Sequence, residues 1–294
     1  MTDKPWYMEN YKQKFSARST QRILPKVEAA LAEEMAARNS KRDTLHFHPS
    51  ELAKADWCPR SSWYKINGYE EVDSSYMGLR RMNILAEGNN IHDKWQRWMY
   101  QAGGLSGDWK CVECTHIWQD VSPKTCPKCM YTELEYREVP VSSDEFRIIG
   151  HADGVWQDAE GEAVVELKSV GLGTLRWEAP ALYEGYEKGE MTLDGLWGAI
   201  KRPLLSHRKQ VNLYMYLLGI PKSIVIYEWK PSQEVKEFQL SLDMDLVQPI
   251  LDGVSEAKIA VETGVIPNRP TEAAYKGCSF CRFCSFKSEC WSSK

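Results

Sequence analysis

The chain lacks any apolar run long enough to cross a membrane, and its opening stretch, MTDKPWYMENYKQKF, has no hydrophobic core of a secretory leader. Both absences point to a cytoplasmic protein. A basic balance is missing too: 37 Lys and Arg stand against 41 Asp and Glu, a formal net charge of -4. Any nucleic-acid contact must therefore rest on a local patch or cleft rather than on the whole surface. No G-x-x-x-x-G-K-[ST] phosphate loop occurs, so unwinding of a duplex would fall to a separate helicase partner. Cysteine is plentiful, with nine residues in clusters. In an intracellular chain that usage favours metal binding over disulfides. At 294 residues the chain can hold one large domain or two smaller ones around a sizeable core.

Residues 1 to 43 read as a polar arm with one helix, in which Val27, Leu31 and Met35 recur every four residues after Pro25. From Leu85 to Ala102 a second helix places Ile91, Trp95 and Trp98 on one stripe, with His92 beside it. Two strands follow a cysteine-rich segment. Phe146 to Trp156 carries Asp153 between Gly150 and Gly154, and Ala163 to Ser169 is apolar except for Glu166 and Lys168. Alternation puts Glu166 and Lys168 on one face, with Val165 and Leu167 on the other. If the strands pair, Asp153 approaches Glu166, and two carboxylates that close call for a cation between them. A hard divalent ion, Mg²⁺ or Mn²⁺, suits carboxylates with the Leu167 carbonyl, and His92 is a third side-chain candidate. Lys168 could then hold a water and offset charge on a phosphate. The plain alternative is an edge hairpin with a surface Glu and Lys, and a structural histidine at position 92.

Cys111-x-x-Cys114 and Cys126-x-x-Cys129 form two knuckles that suit a closed tetrahedral zinc site, an inserted ribbon over residues 103 to 132. The tail offers Cys278, Cys281, Cys284 and Cys290, and Cys58 lies far upstream. Cys58, Cys281, Cys284 and Cys290 would make a clasp between the two ends of the chain, holding zinc or an iron-sulfur cluster. Zinc on the tail's own four cysteines is the competing arrangement, and an oxidant-sensing cluster is a further possibility. The Gly-rich, aromatic stretch Val170 to Leu205, with Trp177, Tyr183, Tyr186 and Trp197, reads as a lid, a substrate channel or a packed excursion. Lys201, Arg202, His207, Arg208 and Lys209 gather into a candidate phosphate-binding patch, or else an ordinary solvated helix start. A helix over Leu205 to Leu218 sets Gln210 and Tyr214 one turn apart, strands follow at 223–230 and 235–240, and a long helix over Met244 to Thr263 turns Leu246, Ile250, Val254 and Val261 inward.

The order Gly88-x3-His92, Gly150-x2-Asp153, Glu166-Leu167-Lys168 and Gln210-x3-Tyr214, flanked by Cys58-Pro59-Arg60 and Cys281-x2-Cys284-x5-Cys290, resembles the RecB-family branch of the PD-(D/E)XK nucleases. Within that branch it is most similar to the iron-sulfur exonucleases of CRISPR adaptation, AddB-type and phage systems. The resemblance runs from about Thr44 to Trp291 and leaves the zinc ribbon as an addition. It implies a restriction-endonuclease-like α/β fold, a mixed central sheet flanked by helices. It further implies metal-dependent hydrolysis of DNA, with the Mg²⁺ or Mn²⁺ ion on His92, Asp153, Glu166 and the Leu167 carbonyl. Lys168 would position the water, Gln210 and Tyr214 would orient Lys168 or the backbone, and Cys58, Cys281, Cys284 and Cys290 would hold a [4Fe-4S] cluster. Ala152 stands where the family name has proline, and Cys278 is surplus. Single-stranded DNA ends are the expected substrate, in recombination, repair or phage DNA processing. A non-catalytic DNA-binding adaptor on the same core is the alternative.

Overall fold

A computed structural model of the chain describes residues 21–39, 43–72 and 78–292. The rest of the expected arm lies outside the described residues. Two units emerge, one comprising 21–39, 43 and 78–86 and the other 44–72 and 87–292. In the first, helix α1 (Leu24–Asn39) follows the expected pattern, with Pro25 in its first turn.

The second unit begins with α2 (Pro49–Leu52) and α3 (Pro59–Ile66), both started by a proline whose missing N–H costs nothing at that position. Helix α4 runs Leu79–Ala102, starting six residues before the pattern expected, and its residues from 87 onward belong here. A mixed sheet forms from β1 (Leu105–Cys111), β2 (Ile117–Val121), β3 (Leu134–Tyr136), β6 (Gly154–Asp158), β7 (Gly161–Val170), β8 (Lys222–Trp229) and β9 (Val235–Ser241). Its order is β2-β1-β6-β7-β8-β9, with β3 also on β1. Within this sheet, among the described residues, only β7 and β8 pair in parallel, in register Lys168↔Tyr227. Strands β4 (Val139–Ser143) and β5 (Ile148–Ala152) form a separate antiparallel pair.

The single strand expected over Phe146 to Trp156 is thus two strands in two sheets, broken at Asp153. The β6–β7 hairpin turns through Ala159 and Glu160, within an Asp-Ala-Glu-Gly run whose residues suit a tight turn. Part of the cysteine segment belongs to the main sheet, since β1 and β2 are strands of it and Cys111 ends β1.

The parallel pairing of β7 with β8 needs a crossover, and residues 170–205 begin it. They are three short helices, α5 (Leu172–Glu178), α6 (Pro180–Glu187) and α7 (Leu193–Ala199), rather than an open lid. Leu175, Leu196, Trp197 and Ile200 are buried against Val170, Tyr227 and Trp229. Lys236 Nζ caps the end of α7 by donating to the Trp197 and Ile200 carbonyls at 2.5 and 2.8 Å. Helix α8 (Leu205–Leu218) matches the expected bounds and ends at Gly219, whose φ of 70° is left-handed. Helix α9 (Met244–Thr263) also matches, although it buries Val247, Ile250, Leu251, Val254 and Ala257 rather than Leu246 and Val261. A short α10 (Lys287–Ser292) ends the described chain. On α4 the stripe is rotated: Ile91 and Met99 are buried and Trp98 is exposed. No helix among the described residues is long and apolar enough to span a membrane.

Close approach explains the glycine beside Asp153. A Cβ on Gly154 would sit 2.8 Å from Leu105 Cδ1 and 3.2 Å from Tyr136 Oη, so Gly154→Ala must displace the buried Leu105 side chain. Gly198, in α7, has nothing within 4 Å of its would-be Cβ. Gly154→Ala is therefore expected to cost ~1–3 kcal/mol in urea unfolding, while Gly198→Ala is neutral or stabilising by up to ~1 kcal/mol. Equal effects would contradict this packing.

Candidate metal centre

Strand β7 carries the centre. Val165 and Leu167 enter an apolar cluster with Met99, Leu105, Trp109 and Ile226, so alternation sends Glu166 and Lys168 to the other face. Glu166 is only 1 % exposed. Its carboxylate lies 2.5 Å from Lys168 Nζ, yet neither oxygen has an aligned hydrogen-bond donor.

Asp153 meets β7 at a gap in the ladder. The pairing of β6 with β7 starts at Gly154↔Val165, so the Leu167 N–H has no strand partner on that side and donates to Asp153 Oδ2 at 2.6 Å. The other oxygen, Oδ1, lies 3.2 Å from His92 Nδ1. One turn further along α4, Gln96 Nε2 donates to the Asp153 carbonyl at 3.0 Å and to Glu138 Oε1 at 3.2 Å. His92, Glu138 and Asp153 each bring a ligating atom within 4.8 Å of the others. That grouping joins His92 and Asp153 as expected, brings in Glu138, and does not include Glu166. Glu138 escaped sequence reading because ELEYREVPV looks like one strand; in fact β3 ends at Tyr136, and Glu138 takes a left-handed φ of 59° that turns the chain into β4.

The electrostatics show a shortage of positive charge. Burial pushes Glu166 up to about 7, with the Asp153 charge adding to the effect and Lys168 opposing it. Burial also raises Glu138, again helped by Asp153. For His92 burial works downward, but the hydrogen bond and charge of Asp153 outweigh it and hold the imidazole above its ordinary value. Burial likewise opposes the Lys168 ammonium, and the charges of Glu166 and Asp153 prevail, so it stays protonated. Three carboxylates facing one ammonium and one imidazole, with two buried oxygens lacking donors, form a donor set that fits a hard divalent cation.

Gln210 and Tyr214 share a face of α8 as their spacing required, and Gln210 Nε2 donates to Tyr214 Oη at 3.3 Å. Tyr214 is buried, which raises its phenol, and the charges of Glu166 and Asp153 raise it further. The basic run is divided. Lys201 and Arg202 are exposed, Arg208 and Lys209 half-buried, and Arg202 and Arg208 line an open pocket of about 250 Å³ with Asn212 and Asp243. His207 does not join them as a cation. The Leu204 N–H donates to Tyr227 Oη at 2.7 Å, and that hydroxyl shares a hydrogen bond with His207 Nδ1, 2.5 Å away. Burial, together with the nearby Lys168 charge, lowers His207 to about 3, so it is neutral.

All four knuckle thiols, Cys111, Cys114, Cys126 and Cys129, lie within 4.8 Å of one another and could hold a metal. The tail cysteines do not gather that tightly. Cys284 and Cys290 pack on the cluster of Trp63, Tyr64 and Phe286, near enough to Cys58 for their charges to raise it, after the larger effect of burial. Cys281 sits with Cys278 in a second cluster with Ala273.

No protein-family model and no curated protein matches the chain. Among solved structures, SSO0001 is similar with a TM-score of 0.42 and 14% identity over 89% of this chain and 94% of that one. LHK-Exo in complex with dAMP is similar with a TM-score of 0.37 and 12% identity over 76% and 91%. Superpositions this loose assign no residue a role.

The neutral His207 sets a pH dependence. Its folded pKa of about 3 lies below an unfolded value of about 6.5, so the unfolded chain binds the extra proton between those limits and stability falls as pH drops through that window. At pH 5 the loss is at most about 2 kcal/mol. In chemical unfolding His207→Gln is expected to have a flatter profile from pH 7 to 5 than wild type; parallel profiles would contradict a neutral His207.

Proposed function

We propose that the chain is a metal-dependent deoxyribonuclease of the PD-(D/E)XK type, hydrolysing phosphodiester bonds at single-stranded DNA ends in recombination, repair or phage DNA processing. One observation carries this: His92, Glu138 and Asp153 converge beside the buried Glu166–Lys168 pair. His92, Glu138 and Asp153 would hold Mg²⁺ or Mn²⁺, and the buried Glu166 carboxylate, paired with Lys168, has a further oxygen to add. When bound, such an ion lowers the pKa of a water and offsets phosphate charge. The Leu167 N–H fixes the Asp153 carboxylate, and the Asp153 charge keeps His92 basic. The Lys168 ammonium, kept charged by Glu166, is suited to hold the attacking water and to counter the charge that builds on the phosphate. Gln210 and Tyr214 would orient the backbone from the α8 side, with Lys201, Arg202, Arg208 and Lys209 meeting phosphates farther along. A helicase or recombination protein would supply unwound DNA.

Zinc on Cys111, Cys114, Cys126 and Cys129 is the structural ion of this account, and a [4Fe-4S] cluster on Cys58, Cys281, Cys284 and Cys290 follows from the family resemblance. The protein purified without oxygen should be brown and bleach on reduction. A colourless, zinc-only protein would overturn the cluster.

The direct test is digestion of end-labelled single- and double-stranded DNA with Mn²⁺. Metal-dependent release of nucleotides from single strands is expected, reduced at least ~10²-fold in Asp153→Asn and Lys168→Ala. Failure to cut any form of DNA would leave only the adaptor alternative.

A further inference from the structure

Two large aromatic side chains meet on the surface, where burial would be expected. Trp177 on α5 is 60 % exposed and Phe283 in the tail 62 %, yet their rings stand edge to face with centroids 5.6 Å apart. Each ring carries its own guanidinium: Arg176 lies 5.7 Å from the Trp177 centroid and Arg282 5.4 Å from that of Phe283. Among the described residues neither arginine has a carboxylate partner. A third cation joins them, since Lys287 Nζ donates to the Arg282 carbonyl at 3.4 Å.

The two rings come from segments that are anchored independently. On α5, Leu175 is fully buried in the main core while Trp177, two positions on, faces out. In the tail, the Cys284 N–H donates to the Cys281 carbonyl at 3.2 Å, a tight turn that holds Phe283 at its tip between two packed cysteines. The exposed rings are therefore held without paying for their own ordering on contact, the condition under which an aromatic platform binds well.

Position narrows the partner. Strand β7 delivers Lys168 and passes into α5 after Val170, so Trp177 lies within ~20 Å of Lys168 along the chain. Exposed π-faces bordered by guanidinia, with no acidic partner, match unpaired bases on an anionic backbone. In a duplex the base faces are stacked on one another and closed to such rings.

We propose that Trp177 and Phe283, flanked by Arg176, Arg282 and Lys287, form a stacking platform that grips unpaired bases of a single DNA strand as it leads to the metal centre. The proposal rests on the nuclease assignment for its direction but has its own readout. Binding of fluorescein-labelled oligo-dT and of a blunt hairpin duplex would be measured by anisotropy with the full chain and no added divalent ion. Trp177→Ala and Phe283→Ala are each expected to weaken oligo-dT binding about 5- to 150-fold, with duplex binding unchanged and Trp177→Phe retaining most of the affinity. Arg282→Ala should weaken it less and flatten its salt dependence. Melting curves matching wild type would show that the fold survives, as expected for exposed side chains. Wild-type affinity for oligo-dT in both alanine variants, equal loss on duplex, or no oligo-dT binding by wild type would each overturn the platform. Normal Mn²⁺-dependent digestion with stacking-independent binding would remove the platform alone, whereas stacking-dependent binding without digestion would remove the nuclease assignment alone.

Discussion

The hydrogen bond from the Leu167 N–H to Asp153 Oδ2 is the constraint on which the centre depends. It forms because β6 begins two residues too late to satisfy that donor, at the point where the chain leaves the β4–β5 pair for the main sheet. A buried amide must find an acceptor, and a carboxylate that takes the place of a strand gives up its freedom to rotate. One oxygen is thereby committed to β7 and the other turned toward His92. The same junction needs Gly154, since the chain switches sheets against Leu105 and Tyr136.

The surrounding elements hold His92, Glu138 and Asp153 in place from several directions. Buried Glu228 on β8 takes Lys94 at 2.6 Å and Trp95 Nε1 at 2.8 Å, which locks the turn of α4 just after His92. Gln96 on the following turn bridges to Glu138. Glu138 comes from the return path of the cysteine segment: β3 pairs with β1 at Cys111↔Leu134, and Tyr136 Oη donates to the Ser106 carbonyl at 3.2 Å. The β3-to-β4 return, the helix and the sheet thus converge on one acidic cluster. Burial first, and the Asp153 charge second, raise Glu138 and Glu166 there, and a cation would offset both effects.

Much of this was legible in the residues. Periodicity gave the bounds of α8 and α9, alternation put Glu166 and Lys168 on one face, and two Cys-x-x-Cys knuckles located a four-thiol cluster. Less accessible was anything decided by non-local contact. Asp153 breaks a strand because two sheets compete for its flanks, and Glu138 reaches the pocket through a left-handed turn; neither has a periodic signature. The 170–205 stretch read as a loop because its helices are short and glycine-containing, yet burial of Leu175, Leu196 and Trp197 holds them. His207 sat in a basic run but is kept neutral by burial and the Lys168 charge, in a pocket that also brings Tyr227 from a strand twenty residues away.

The central claim is that a divalent ion belongs between His92, Glu138 and Asp153, within reach of Glu166. Anomalous scattering from crystals of the protein soaked in Mn²⁺ tests it most directly. A manganese peak bonded to His92, Glu138 and Asp153 is predicted; a pocket that stays without a peak at saturating Mn²⁺, or a peak held by other side chains, would contradict it.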